Sequence, residues 1–390
     1  MKFSKKIKLR ITEILLLSKL ALGKLLSFFY SYRKENIWLL SERGHEARDN
    51  AYFFFLYLKK NHPEINSKYI ISFDSKDYNR LSQFREDLID YGSMKHHIML
   101  CSAKYLISTH VSGYTPYMEF FMKLDYLYNV FRNHKRVFLQ HGITKSDMPQ
   151  FHEERTHLDL FICGAKPEFE YITQKYHYTK GQVQYTGLCR FDNLNGLFSS
   201  MKRQILLMPT WRLYIREQSF EETDYYKAYK EVLTSPVLSE ILDRYDYKLV
   251  FYPHYEIQQH INSFKKLSLN GRIEIADFDY DVQTLLKESD LLITDFSSVF
   301  FDMAYMYKPI IFYQFDRDEF YEKHYSKSYL EESNFGEMTI DLKALYSSLE
   351  RLLQTDCKMS EKCRMYSDTF FEYRDVHNCD RVFDAISSLE

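Results

Sequence analysis

Short apolar runs alternate with amphipathic stretches along most of the chain, and this alternation predicts βα units. A first series of predicted strands comprises Ile37–Leu40, Tyr69–Phe73, His97–Leu100 leading to Tyr105–Ser108, Arg136–Leu139, Leu158–Cys163 and Val183–Thr186. A second series comprises Ile205–Met208, Lys248–Tyr252, Ile273–Ala276, Leu291–Thr294 and Ile310–Tyr313. Helical patterns lie between several of the runs, notably Ala47–Lys60, and the chain from Leu342 onward is mainly helical. This order is typical of parallel sheets covered by helices.

A polar, weakly patterned stretch, Asn193 to Arg203, separates the two series and reads as an interdomain connection. We therefore predict an α/β fold of two doubly wound, Rossmann-like domains facing a cleft, residues 35–195 and 196–390. The composition agrees, because 45% hydrophobic and 27% charged residues are ordinary for a globular protein. The six cysteines show no C-x-x-C pair, so neither a zinc ribbon nor a disulfide framework is expected, and a reducing cytoplasm is the default compartment.

The net charge of −2 hides a strongly basic start. Residues 1–34 hold nine Lys or Arg and one acid, a balance of +8, which leaves −10 for the remainder. Their apolar positions recur at roughly helical spacing, at Ile7, Ile11, Ile14, Leu15, Leu22, Leu25, Leu26 and Phe29. Lys19 and Lys24 interrupt any run long enough to span a bilayer. We predict a basic amphipathic helix on an anionic membrane surface, with a helix packed on its own domain or on a partner as alternatives. The acidic remainder does not favour nucleic acid.

Polar residues follow several predicted strands directly, where ligands bind in open α/β sheets. After Leu291–Thr294 comes the turn Asp295-Phe296-Ser297-Ser298 and then a helix, a combination that offers hydroxyl and N–H groups to a phosphate. An ordinary capped helix is the alternative. The other strand-end groups are Gln140-His141-Gly142, Thr186-Gly187 leading to Arg190, Pro209-Thr210-Trp211-Arg212, Pro253-His254 and Asp316.

These residue types suit phosphoryl chemistry. A histidine accepts or donates a proton near neutral pH, and an arginine grips phosphate with two hydrogen bonds. There is no G-x-G-x-x-G, Walker or G-x-S-x-G motif. His152 and His157 are five residues apart rather than four, so the stretch between them is not the H-E-x-x-H motif of a zinc protease. The pattern predicts a nucleotide diphosphate as donor, with the acceptor delivered from the other domain.

Six stretches together resemble the CDP-glycerol glycerophosphotransferase family, from about Glu35 to the end of the chain. They are QHGITKSD (140–147), TGLCRFDNL (186–194), ILLMPTWR (205–212), PH (253–254), LLITDFSSVFFDMAYMYKPIIFY (291–313) and FFEYRDVHNCDRVFDAI (370–386). The resemblance implies a GT-B-like fold and peripheral attachment to the cytoplasmic face of the cell membrane. It also implies transfer of glycerol phosphate or a related polyol phosphate from a CDP-activated donor to a lipid-linked acceptor, in teichoic acid or capsular polymer synthesis.

Carried over by motif, the resemblance makes His141 the general base and His254 the group that stabilises the attacked phosphate or the leaving group. Other residues would serve the donor: Arg212, Ser297 and Ser298 on the diphosphate, Asp295 orienting their loop, and Thr210 and Asp316 contacting the nucleotide. Asp49 and Asn50 would line the acceptor side, with helix capping as their alternative. No metal-ligating set is predicted, and the sequence leaves open whether a divalent cation accompanies the donor.

Two departures from the family pattern bear on substrate identity. The family often has His-Gly-Thr-Pro where this chain has His141-Gly142-Ile143-Thr144, and His-Pro where it has His254-Tyr255. Apart from these departures, two alternatives to the main function stay open: a GT-B nucleotide-sugar glycosyltransferase, and a non-catalytic scaffold on the membrane surface.

Overall fold

The computed structural model describes residues 2–29, 36–194, 202–216, 219–323 and 328–389, with side chains from Thr12 onward. The chain forms two compact units. The first contains Met1–Ile143, Met148–Asn193 and Asp375–Glu390, and the second contains Thr144–Asp147 and Leu194–Arg374. Residues 30–34 of the predicted basic segment and 195–201 of the predicted connection lie outside the described residues.

The strands are short and follow the predicted runs closely. In chain order they are β1 Trp38–Ser41, β2 Ser67–Ile71, β3 Leu88–Asp90, β4 Tyr105–Ser108, β5 Lys135–Phe138, β6 Leu160–Cys163, β7 Val183–Tyr185, β8 Gln204–Leu207, β9 Lys248–Phe251, β10 Ile273–Ile275, β11 Leu291–Thr294, β12 Ile310–Tyr313 and β13 Glu337–Thr339.

The helices vary from one turn to seven or more. They are α1 Lys2–Phe29, α2 Asn50–Asn61, α3 Met94–Ser102, α4 Met118–Tyr128, α5 Glu153–Thr156, α6 Lys166–Lys175, α7 Phe191–Leu194, α8 Asp224–Thr234, α9 Pro236–Tyr245, α10 Tyr255–Gln258, α11 Ile261–Lys265, α12 Val282–Glu288, α13 Phe300–Tyr305, α14 Arg317–Lys323, α15 Leu342–Gln354, α16 Glu361–Phe370 and α17 Asn378–Ser387. The described residues also form 3-10 segments at Lys76–Asp87, Pro149–Phe151, Leu213–Arg216, Phe220–Glu222 and Glu332–Asn334.

Each unit is built on one parallel sheet. The first has the strand order β3-β2-β1-β4-β5-β6-β7 and the second has β10-β9-β8-β11-β12-β13. In the first sheet β1 pairs with both β2 and β4, with Trp38 opposite Ser67 and Tyr105. In the second, β11 lies between β8 and β12. The order reverses next to β1 and next to β8, and such switch points place ligands at the carboxyl ends of the strands.

The strand residues are buried on both faces of the first sheet. Trp38 and Leu40 of β1 pack in a cluster with α2 and α17, whereas Leu39 packs in a cluster with α1 and α3. Successive side chains of a strand point to opposite faces, so both faces of β1 are covered by helices. This explains why the strands read as continuous apolar runs rather than as alternating ones.

Three details of the fold differ from the sequence expectations. His97–Leu100 belongs to α3, whose N-terminus is capped by the Ser93 hydroxyl accepting from the His96 N–H; a short apolar run does not by itself distinguish strand from buried helix. Strands β3 and β13, of three residues each, were not predicted. Finally, 375–390 belongs to the first unit rather than to one domain with 196–374, because the Asp192 carboxylate accepts hydrogen bonds from the start of α17.

Helix α1 packs against its own unit along one side. Leu16 and Leu20 join the cluster around α3. Gly23 touches α3 so closely that a Cβ there would lie 2.9 Å from the backbone of His97. The described part of the predicted basic segment, residues 2–29, therefore packs on the first unit rather than standing apart from it. Between Thr12 and Phe29, the large apolar side chains of α1 that are exposed are Ile14, Leu15, Leu17, Leu22, Leu25, Phe28 and Phe29. In the described part of the chain, no helix has an apolar stretch long enough to cross a membrane.

Candidate active site

His141 lies in the first unit, just past the carboxyl end of β5, and its ring is exposed. The preceding residue anchors it: Gln140, at φ +59°, is buried and donates from Nε2 to the Ile162 carbonyl at 2.7 Å and to Glu168 at 3.0 Å. His141 Nδ1 is 3.2 Å from the Thr109 carbonyl oxygen. A carbonyl only accepts, so Nδ1 carries the proton of the neutral ring and Nε2 keeps a lone pair. The sequence-predicted base is thus in a tautomer that can take a proton.

A second histidine, not predicted from the sequence, lies against this ring. His110 stacks on His141 with ring centroids 4.3 Å apart and planes 6° apart. Burial, and then the neighbouring His141 and Arg43, lower the pKa of His110 well below its ordinary value. Although the His141 ring is exposed, desolvation by the surrounding protein also lowers its pKa, against the opposing effects of the Asp49 charge and the Thr109 carbonyl. Both rings are therefore neutral near pH 7.

Asp49 and Asn50 are brought to the same place as His141. Asn50 is buried and donates from Nδ2 to the Gln140 carbonyl at 2.7 Å, while its Oδ1 accepts from the Arg190 N–H at 3.0 Å. Asp49 caps α2 and pairs with Arg190 at 2.9 Å. The capping alternative is thus observed for Asp49, and the two residues also brace the loop that carries His141.

Glu42, which the sequence analysis did not single out, stabilises the segment that leads into α2. It is buried, and its carboxylate accepts from the backbone N–H groups of Arg48 and Asp49, at 3.1 and 2.7 Å. Burial and the nearby Asp49 and Glu46 charges raise the pKa of Glu42 to about 8, although the backbone hydrogen bonds oppose the shift. Its location directly after β1 was the available signal, since it is one more polar residue at a strand end.

In the second unit, the turn after β11 does not lead into the ordinary capped helix that was the alternative to a phosphate site. Helix α13 begins at Phe300 with Val299 as its N-cap, and no side chain caps it. Ser297 and Ser298 are half-buried, and the Ser297 hydroxyl is a distant 3.5 Å from the Val299 N–H. Asp295 is fully buried and accepts from the N–H groups of Thr210 and Phe296, at 2.8 and 2.5 Å. Asp295 thus holds the turn while leaving the two serines at its rim.

Arg212, which the sequence predicts to contact the diphosphate, is buried and paired with two carboxylates. Its side chain has no exposed surface, and it bonds Asp295 from Nη1 at 2.9 Å and Asp316 from Nε and Nη2 at 2.6 and 2.9 Å. Phe296 and Phe320 flank the guanidinium, with centroids 5.0 and 4.9 Å from Cζ. Desolvation opposes its charge, but the two carboxylates outweigh it and raise the pKa of Arg212. Through these buried ion pairs, Arg212 connects the segments that follow β8, β11 and β12.

His254 follows β9 and is half-buried. Its Nδ1 accepts from the Glu256 N–H at 3.2 Å, so the neutral ring carries its proton on Nε2. The Trp211 ring lies roughly parallel to it, at 25° and 6.3 Å between centroids. The two predicted histidines are consequently held in opposite tautomers, His141 with a free lone pair on Nε2 and His254 with a hydrogen on Nε2.

Thr144–Asp147, which follows His141 in the chain, is held by the second unit. Tyr329 donates to the Thr144 carbonyl at 2.7 Å, and Lys145 forms an ion pair with the buried Glu332. Gln314 links this pair to the serine turn, because its Nε2 lies 2.6 Å from Glu332 and 2.9 Å from the Asp295 carbonyl. Sequence reasoning missed these four side chains, although Lys145 lies inside the motif QHGITKSD.

A cavity of about 610 Å³ lies in the second unit beside this network. Arg317 and Tyr321 of α14 line one part, and Tyr329 and Glu332 line another. Arg317, one of its lining residues, comes directly after Asp316, whose carboxylate bonds Arg212. The carboxyl edge of the second sheet therefore combines a polar cavity, a serine turn and a histidine with an N–H to donate.

Two doubly wound units with polar groups at the carboxyl ends of their strands define an α/β protein. Its fold is similar to that of the wall teichoic acid polymerase TagF, at a TM-score of 0.66 and 18% identity over 100% of this chain and 98% of that one. It is also similar to a UDP-GlcNAc 2-epimerase of Methanocaldococcus jannaschii, at a TM-score of 0.54 and 13% identity over 90% and 99% of the two chains. At these identities the likeness shows the fold alone.

Residues 24–388 match the family model described as CDP-glycerol:poly(glycerophosphate) glycerophosphotransferase, and the chain belongs to that family. The resemblance inferred from the six stretches is confirmed. The minor teichoic acid biosynthesis protein GgaB of Bacillus subtilis (strain 168) is 32% identical over 93% of this chain and 41% of its own length. A teichoic acid poly(glycerol phosphate) polymerase of the same organism is 22% identical over 92% and 49%. The chain thus spans less than half the length of these relatives.

Proposed function

We propose that this chain transfers glycerol phosphate, or a related polyol phosphate, from a CDP-activated donor to a hydroxyl of a membrane-linked acceptor and releases CMP. The product would be a teichoic acid or capsular polymer. Family membership supports the substrate class. The observation that carries the mechanism is the opposite tautomers of His141 and His254, each set by a backbone hydrogen bond.

In the proposed reaction, Nε2 of His141 takes the proton of the acceptor hydroxyl as that oxygen attacks the β-phosphorus of the donor. The bond between the β-phosphorus and the bridging oxygen breaks, and CMP leaves with the bond electrons. Nε2–H of His254 donates a hydrogen bond to the phosphate under attack or to the departing CMP. Positioning and electrostatic stabilisation supply most of the rate in such transfers, and a general base contributes roughly 10²–10⁴-fold.

Donor binding is assigned to the second unit. Ser297 and Ser298 would offer hydroxyl and backbone N–H groups to the diphosphate from the rim of the turn. The buried Arg212 would act through Asp295, whose carboxylate fixes both the turn and the Thr210 backbone. Thr210 and Asp316 would contact the nucleotide, and Asp316 also bonds Arg212.

The acceptor side is assigned to the first unit. Asp49 and Asn50 would line the acceptor side around His141, Asp49 at its surface and the buried Asn50 from beneath, through its hydrogen bond to Gln140. This assignment keeps the sequence prediction and adds a structural role for both residues, which is to position His141.

We assign membrane attachment to the outer side of α1. Leu16, Leu20 and Gly23 lie on the packed side of this helix, and at 100° per residue Leu25 points in the opposite direction. Leu25 is 56% exposed, and Lys24 is exposed at the border of the apolar side. An apolar stripe with flanking lysines suits the interface of an anionic leaflet. The proposed location is therefore the cytoplasmic face of the cell membrane, as a peripheral protein.

A donor screen with a lipid-linked acceptor tests the proposal. Wild-type protein is incubated with CDP-glycerol, CDP-ribitol or UDP-sugars, and CMP or UDP release and product length are measured. We expect CMP release with a CDP-polyol, and losses of roughly 10²–10⁴-fold in His141→Ala and His254→Ala. His377→Ala, which removes an exposed histidine, is the matched control. Near-full turnover in both active-site variants would overturn the mechanism, and consumption of UDP-sugars alone would favour the glycosyltransferase alternative.

A further inference from the structure

Two histidines and a glutamate meet on the surface of the first unit, away from the candidate active site. His152 precedes α5, Glu154 lies in its first turn, and His177 lies between α6 and β7. One potential ligand atom from each residue lies within 4.8 Å of the others. From this geometry we infer that His152, Glu154 and His177 form a binding site for one divalent transition-metal ion, of which zinc is the best match.

The backbone segments that carry these side chains are tied together without any metal. The Tyr176 carbonyl accepts from the Glu153 N–H at 3.0 Å, and its hydroxyl accepts from the Met148 N–H at 3.0 Å. The Tyr178 hydroxyl donates to the Phe151 carbonyl at 2.7 Å and is 2.6 Å from the Thr156 hydroxyl. These bonds fix the segment 148–156 against the turn on both sides of His177. The ligand-bearing backbone is therefore preorganised.

His177 is exposed, although its two neighbours in the sequence are buried tyrosines. It adopts the left-handed conformation, at φ +63°, which few non-glycine residues occupy. Tyr176 and Tyr178 are buried whereas His177 is exposed. Its ring lies 5.8 Å from that of His152, edge to face. The turn therefore exposes the His177 imidazole on the same side of the unit as the His152 imidazole.

The donor set selects the kind of ion. Two imidazole nitrogens and one carboxylate oxygen suit zinc and its first-row neighbours, whereas magnesium and calcium prefer oxygen ligands throughout. Bond lengths of about 2.0–2.2 Å place the donors of a tetrahedral zinc ion roughly 3.4 Å apart. The observed spread of up to 4.8 Å therefore calls for a contraction. Rotation of the exposed Glu154 and His177 side chains can supply it, with water as the fourth ligand.

In the sequence, His152 and His157 lie five residues apart and are not accepted as a metalloprotease motif. The cluster contains His152 but not His157. His177 replaces it from a separate segment. The cluster lies near the starts of β6 and β7, whereas His141 follows the end of β5, so the inferred role is structural. A bound ion would clip segment 148–156 to the 176–178 turn.

Metal titration of the full-length chain tests the inference directly. Protein without a histidine tag is stripped with chelator and titrated with Zn²⁺, Co²⁺ and Mg²⁺ by calorimetry, with Co²⁺ absorption reporting coordination geometry. We expect one Zn²⁺ or Co²⁺ per chain, no Mg²⁺ binding, and a higher unfolding temperature with Zn²⁺. His152→Ala and His177→Ala should each weaken Zn²⁺ binding at least tenfold, and Glu154→Gln should weaken it less.

The control is His377→Ala, which breaks an exposed histidine–aspartate contact of the same unit and should bind Zn²⁺ like the wild type. Circular dichroism of each metal-free variant establishes that it is folded. Absence of stoichiometric Zn²⁺ binding by the wild type would overturn the inference. So would wild-type affinity in a folded His177→Ala variant, because the bound ion would then lie elsewhere.

Discussion

The buried charge network around Arg212 allows a quantitative test of how the donor turn is held. Replacing Arg212 by Met keeps most of the side-chain length but removes every bond to Asp295 and Asp316. Two carboxylates with almost no exposed surface would then lack their counter-ion. Breaking a buried pair in this way typically costs about 3–5 kcal/mol, because the remaining charge is left without compensation. At about 1.4 kcal/mol per decade, this is on the order of a 10²–10⁴-fold shift in the unfolding equilibrium.

The two tryptophans make the assay specific to one unit. Trp38 lies in the first unit and Trp211 in the second, and the chain has no other tryptophan. In a Trp38→Phe background, urea unfolding followed by fluorescence reports on the second unit through Trp211. We expect Arg212→Met to lower the midpoint strongly. Adding Asp316→Asn should recover part of the loss, since one unpaired charge disappears.

The matched control is Arg244→Met, which removes an arginine of the same unit whose ion pairs are half exposed. Exposed pairs contribute little to stability, so its unfolding midpoint should stay close to the wild-type value. Equal midpoints for Arg212→Met and Arg244→Met would refute the reasoning, because burial would then have made no difference.

Three further outcomes are expected. The Asp49 charge raises the pKa of His141, so Asp49→Asn should move the acid limb of the pH profile of CMP release to lower pH; an upward move would contradict the assignment of the base. Burial raises the pKa of Glu42 from 4.5 to about 8, so the stability from its protonated form is present below 4.5 and is lost as pH rises through 8. In denaturant unfolding measured between pH 4.5 and 8, the Glu42→Gln variant should not show this loss of stability. If the stability of the wild type and of the variant changed with pH in the same way, the raised pKa of Glu42 would be contradicted. Leu25→Glu should reduce co-sedimentation with anionic vesicles while Val237→Glu, 50% exposed in the second unit, should not; equal sedimentation of both variants with the wild type would argue against α1 as the membrane contact.

Most of the sheet architecture was readable from local pattern. The run Leu291–Thr294 was predicted as a strand and is β11, and Ile310–Tyr313 is β12. Strands buried on both faces are short, apolar and bounded by polar turns, so each can be predicted from a few consecutive residues. The wrong or missing strand predictions also result from relying on short local patterns. His97–Leu100 is apolar and short but helical, and three-residue edge strands such as β13 hold too little pattern to detect.

The candidate site was readable only as a set of positions. In a parallel sheet every strand ends at the same edge, so the residues after the strands could be collected without knowing the fold in detail. Their partners could not be predicted. Asp295 and Asp316 are 83 and 104 residues from Arg212, and His110 is 31 residues from the ring it stacks on. Nothing in the local pattern separates a buried arginine from one that faces a ligand.

By itself, the sequence determined the βα alternation, the family and the polar residues that end the strands, because hydrophobic periodicity and motif spacing act over short distances along the chain. Tertiary structure alone decided which nitrogen of each histidine carries the proton, which side of α1 is buried, and that His177 rather than His157 accompanies His152. Those features depend on hydrogen bonds and ion pairs between segments far apart in sequence. Their energies are set by burial and by angstrom-scale distances, which exist only once the chain has folded.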